Sequence, residues 1–265
     1  MSETLPIPHT VLSSDVVDSS PGGYPRHAEL GQTAEAVITE AIQELGANEN
    51  WPRSNRGDGE VTLAPATVPA ARLLADFLRL VHDGLVTYNR NKSVDHRLRL
   101  RFGVDHGDVV VDGGGVPRGG DPLVVAARLR DSAVAYEALA AVPSAPVVAV
   151  VSDLVYQRAV PANGRGLEVR MFRRVETTVS GRMVSCWLYV PGHEPPVVTE
   201  ATPSPRPAAR SAAAESPAAP SRTKASKSGA VPRESAKYRT SIKDSHNIHI
   251  GDDGTHFSVE RGGPA

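Results

Sequence analysis

Apolar side chains along residues 8–192 recur in two rhythms, one of period two and one near 3.6, and their alternation predicts a sheet covered by helices. His9 to Val17 is rich in β-branched residues and reads as a first strand. Leu30, Ala34, Ile38, Ala41 and Leu45 then fall at helical spacing, and Gly46 is placed to stop that helix. Glu60 to Ala64 predicts a short strand. Pro69 opens a helix whose apolar face is Leu73, Leu74, Phe77, Leu78, Val81, Leu85 and Tyr88. Arg97 to Val104 alternates strictly, which predicts a strand with a basic, solvated face and a buried one. His106-Gly107-Asp108 reads as a turn into Val109-Val110-Val111, and Pro122 to Ala141 as one further helix. Val147 to Val151 is apolar throughout, as a central strand requires. A short helix over 153–159 and strands over 167–175 and 183–190, the last two an antiparallel hairpin, complete the pattern.

Composition changes after Gly192. Residues 193–236 are dominated by Pro, Ala, Ser, Arg and Lys, with too few large apolar side chains to repay ordering, and are expected to form a disordered linker. Residues 237–261 are β-prone again. The chain of 265 residues is 40% hydrophobic, enough for one ordinary globular domain, which the patterns place at 8–192. A net charge of -1 argues against holding nucleic acid or membrane through overall charge, so no specific nucleic acid partner is expected. No leader-like or membrane-spanning stretch is evident, and a cytoplasmic location is expected. The single cysteine, Cys186, lies in a strand-like run and reads as buried.

Two aspartates are candidates for binding a cation. Asp15 ends the first strand, and Asp58 lies in the turn Arg56-Gly57-Asp58-Gly59 that leads into the next. If the strands are neighbours, the carboxylates converge at one edge of the sheet, a setting that suits Mg²⁺ with phosphate oxygens. Gly57 and Gly59 would let backbone and phosphate approach closely. Asp-Gly is also ordinary turn chemistry, so spacing alone leaves both readings open. Asp18 and Asp105 read as solvated turn residues. His106 and Asp108 read as part of a turn, with no partner spacing for catalysis.

Four segments in order, Thr10 to Val17, Arg56 to Gly59, Arg101 to Val110 and Gly120 to Leu129, resemble motifs of the class III adenylate and guanylate cyclases, in a divergent bacterial form. The resemblance implies an α/β (α+β) domain with a ferredoxin-like βαββαβ core and a mixed, mostly antiparallel sheet. It implies a head-to-tail homodimer that binds a nucleoside triphosphate across its interface with Mg²⁺ or Mn²⁺. Asp15 and Asp58 would be the metal ligands, with the Val16 carbonyl as a third and Gly57 and Gly59 beside them. Arg128 matches the arginine that stabilises the triphosphate in the transition state, a role suited to a fixed, always charged guanidinium. A helix-surface arginine is the alternative.

The departures bear on chemistry. Val124 stands at the family's ribose-orienting asparagine and has no polar side-chain atom. Ser54 and Pro117 stand where base-selecting residues are expected, and the late phosphate-binding lysine has no match, though Arg173, Arg174 and Arg182 lie nearby. Beyond the linker, two alternating runs flank Gly251-Asp252-Asp253-Gly254, which is hairpin chemistry. The segment resembles the amyloid-like signalling motifs at the ends of effector and adaptor proteins, built on Asn-x-x-x-Gly-Asp, here Asn247 to Asp252. Three readings follow. The domain is a metal-dependent cyclase, or an inactive nucleotide sensor or adaptor that recruits effectors through its tail, or an unrelated ferredoxin-like binding domain. The last would be favoured if Asp15 and Asp58 lay far apart.

Overall fold

A computed structural model describes residues 5–18, 23–46, 51–56, 59–161 and 164–198, together with 248–249 and 256–257. The chain falls into two units, Met1–Ala208 and Ala209–Ala265. In the first, strands β1 (Ile7–Val16), β2 (Arg53–Arg56), β3 (Gly59–Pro65), β4 (Leu100–Val111), β6 (Val147–Ser152), β7 (Phe172–Val179) and β8 (Arg182–Tyr189) form a mixed, mostly antiparallel sheet. Their order is β2-β3-β1-β4-β6-β8-β7, and β5 (Pro117–Gly119) pairs with the end of β4. The β4–β6 pairing is parallel, which the crossover through helices α4 (Asp121–Arg130) and α5 (Ala133–Ala141) makes possible.

Helices cover both faces. On one, α1 (Gly23–Glu44) and α3 (Leu78–Asn89) share a core with the sheet residues Leu12, Phe102, Val104, Val147, Ala149 and Val151. On the other, α4 and α5 pack over Val11, Leu63 and Val109 and over Val148, Val150, Cys186 and Leu188. The central strand β6 therefore sends alternate side chains into two cores, which is why its sequence is apolar without a break.

The predicted first strand, first helix, central strand, short helix α6 (Asp153–Ala159) and closing hairpin are all present, and Gly46 ends α1 in a left-handed conformation. Pro69 precedes α2 (Ala70–Arg72), which runs through a π-helical turn, Leu73–Phe77, into α3. Several expectations are corrected. Residues 106–108 are not a turn, because β4 runs unbroken from Leu100 to Val111 with Gly107 paired to His9. Gly103 and Gly107 instead make room for α4. A Cβ on Gly103 would overlap the Ala126 carbonyl oxygen, and one on Gly107 would lie 2.8 Å from Pro122. Residues 122–141 form two helices, since the Ser132 hydroxyl donates to the Leu129 carbonyl and caps α5. The last hairpin begins at Phe172, after a 3₁₀ turn over Val169–Met171.

The strand expected from Arg97 begins at Leu100, and only Arg97 of the predicted basic face is exposed. Arg99 donates to the carbonyls of Leu139, Val142 and Ala145 at and beyond the end of α5, and Arg101 is buried. Cys186 is fully buried, and burial, reinforced by Glu176, pushes its thiol up to about 12. A thiol reagent such as DTNB should therefore leave the native chain unmodified for a period that fully labels the urea-unfolded chain; rapid labelling of native protein would contradict this burial.

In the second unit, β9 (Ile248–His249) pairs antiparallel with β10 (His256–Phe257). The remainder of the tail motif, and the linker from 199 onward, lie outside the described residues. No helix among the described residues is long and apolar enough to cross a membrane.

Candidate functional site

Asp15 ends β1 between two strands. It lies opposite Gly59 of β3 on one side and opposite Arg101 of β4 on the other. Asp58 and Gly57 lie outside the described residues, but Gly59 is paired with both Asp15 and Arg56. The strand pairing thus sets Asp15 opposite Gly59, which with Arg56 flanks the second candidate. Val16 has its side chain in the core, and its backbone is opposite Leu100.

A Cβ on Gly59 would meet the Ser14 carbonyl oxygen at 3.1 Å, Arg130 Nη1 at 3.4 Å and Asp15 Oδ1 at 3.5 Å, so glycine leaves a small space lined by two oxygens and a guanidinium nitrogen. The two oxygens are of the kind a hard divalent cation takes. Both oxygen-bearing groups nevertheless have cationic neighbours. Arg101 forms an ion pair with Asp15, their side chains only 6% and 15% exposed. Arg130 Nη1 donates to Ser13 Oγ at 3.1 Å and to the Ser14 carbonyl at 3.3 Å, while its other nitrogens bond Asp131. Arg101 also lies 4.0 Å from the centre of the Tyr136 ring, and its Nε and Nη1 are buried with no hydrogen-bond partner among the described residues. No cluster of three or more His, Cys, Asp or Glu among the described residues is arranged to hold a metal.

Arg128 is on the exposed side of α4, where Val124 precedes it by one turn and is half exposed. Arg130, two residues on, is the arginine of this helix that turns to the Asp15 edge of its own chain. Ser54 lies in β2 and Pro117 in β5. Arg173 and Arg174 lie in β7 at the far end of the sheet, bonded to the Pro195 carbonyl and to Ser185. Sequence reasoning misses Arg101 and Arg130 as parts of the site. Their role depends on strand register and helix packing, although an arginine shortly before the β4 glycine is a visible signal.

Asp105 is also corrected, since it is buried within β4 and not in a solvated turn. Burial raises its carboxyl above the ordinary range, against hydrogen bonds from Ser152 and the His106 backbone that act to lower it. A raised folded value means that stability is present below the unfolded value and is lost as pH rises through the folded one. Asp105→Asn should thus raise the melting temperature at neutral pH, with the gain shrinking toward pH values where the aspartic acid is protonated. Thermal unfolding at a series of pH values checks this, and a pH-independent effect would contradict it.

Neither a protein-family profile nor a curated protein matches the sequence. The fold is similar to solved nucleotidyl cyclase structures. An adenylate/guanylate cyclase/hydrolase from Silicibacter pomeroyi is 20% identical, with a TM-score of 0.52 over 71% of this chain and 99% of that one. The guanylyl cyclase Cya2 is 17% identical, with a TM-score of 0.50 over 69% and 92%. The adenylyl cyclase CyaB from P. aeruginosa is 14% identical, with a TM-score of 0.50 over 74% and 100%. The first unit therefore has the nucleotidyl cyclase fold.

Proposed function

We propose that residues 8–192 form a signalling domain of the class III cyclase type that receives a nucleoside triphosphate at the Asp15 edge, and that the tail around Asn247–Asp252 passes the signal to effector or adaptor proteins by strand pairing. The observation that carries this reading is the register of Asp15 with Gly59, which sets the first candidate carboxylate beside the Arg56–Gly59 segment.

In this reading Asp15 and Asp58, with the Val16 carbonyl, would hold Mg²⁺ or Mn²⁺. When bound, the cation would neutralise charge on the phosphate oxygens. Arg128, exposed on α4, is accessible to a second copy of the chain, and a head-to-tail homodimer would let it meet phosphate at the partner's Asp15 edge. Val124 offers no hydrogen bond to a ribose, and Ser54 and Pro117 do not supply the expected base-reading pair. These departures favour binding and signalling over efficient cyclisation. The presence of Asp15 and Arg128 supports the second reading, metal-dependent turnover.

Equilibrium dialysis of the full chain against each nucleoside triphosphate with Mg²⁺ tests the proposal, with mass spectrometry of the nucleotide afterwards. Saturable binding weakened in Asp15→Asn is expected. Binding unchanged by that substitution, or no binding to any triphosphate, would overturn it, and a cyclic product lost in Asp15→Asn would decide for the turnover reading.

A further inference from the structure

Asp15 and Arg101 face each other across β1 and β4, form a direct ion pair, and are both largely buried. The opposing charge is thus supplied by the chain at the carboxylate where a divalent cation would bind. A second guanidinium, from Arg130, lies on the adjacent Ser14 carbonyl. Tyr136, itself half exposed, covers Arg101, and two of the Arg101 donors are buried without partners among the described residues.

We propose that Arg101 is a built-in counter-ion that closes Asp15 to divalent metal in the nucleotide-free domain. A metal approaching Asp15 must displace a paired guanidinium and meet the positive charge of Arg130 nearby, and both effects oppose binding at low dielectric. Phosphate oxygens are strong acceptors for guanidinium donors, including the two of Arg101 that have no partner among the described residues. A triphosphate would therefore draw Arg101 from Asp15 and admit the cation with it. Coupled entry of this kind rests on the Asp15 edge being the nucleotide site.

The test titrates full-length protein with Mn²⁺ alone and follows the free-ion signal by electron paramagnetic resonance. Wild type and Asp15→Asn should give the same curve. Arg101→Met should gain a site at least ~10-fold tighter, and adding Asp15→Asn should abolish it. A wild-type Mn²⁺ site lost in Asp15→Asn would overturn the proposal, as would no gain in a folded Arg101→Met protein. Arg101→Gln replaces the methionine variant if circular dichroism shows that it does not fold. Since no nucleotide is present, failure of the nucleotide reading would leave this Mn²⁺ pattern intact, and the two proposals fail separately.

Discussion

Gly103→Ala is expected to destabilise the domain by roughly 3 kcal/mol or more, a loss large enough to prevent folding of a marginal domain. The added Cβ would overlap the Ala126 carbonyl oxygen and lie 2.6 Å from the Arg130 amide nitrogen. Both are main-chain atoms of α4, so no rotamer change relieves the overlap. The helix must lift from β4, and that separates Leu129 and Ala126 from the strands beneath them. It also withdraws Arg130 from Ser13 and Ser14. Urea unfolding followed by circular dichroism checks the effect, and a wild-type midpoint would contradict the packing of α4 on β4. Gly113→Ala, with open space around the added atom, is the matched control.

Asp15→Ala should cost roughly 3 kcal/mol, because it leaves the buried Arg101 guanidinium without its carboxylate. Adding Arg101→Met should recover much of that loss, since an apolar pair in place of a buried ion pair is often neutral or better. The same urea experiment on both single variants and the double variant gives the coupling energy. Additive losses would mean that the two side chains do not act as a pair.

Much of the fold is legible in the sequence. The unbroken apolar run at Val147–Val151 announces a strand buried on both faces, and the face from Leu73 to Tyr88 announces a helix. The errors share one cause, which is that local signals describe single segments while the neighbours decide their meaning. Gly107 has the chemistry of a turn, yet here it admits Pro122 of a helix that follows later in the chain. The arginines of β4 and the residues leading into it alternate like a solvated face, but α5 carbonyls and Asp15 receive two of them. Asp15 is identifiable from its motif, whereas Arg101 and Arg130 require the register of β1 on β4 and the seat of α4.

The most direct test of nucleotide binding at the Asp15 edge is hydrogen–deuterium exchange of the full-length chain with and without a nucleoside triphosphate and Mg²⁺. Slowed exchange centred on residues 14–18, 53–60 and 121–130 is the expected result, with loss of that protection in Asp15→Asn. Protection confined to β7 and β8, or no change with any triphosphate, would contradict it.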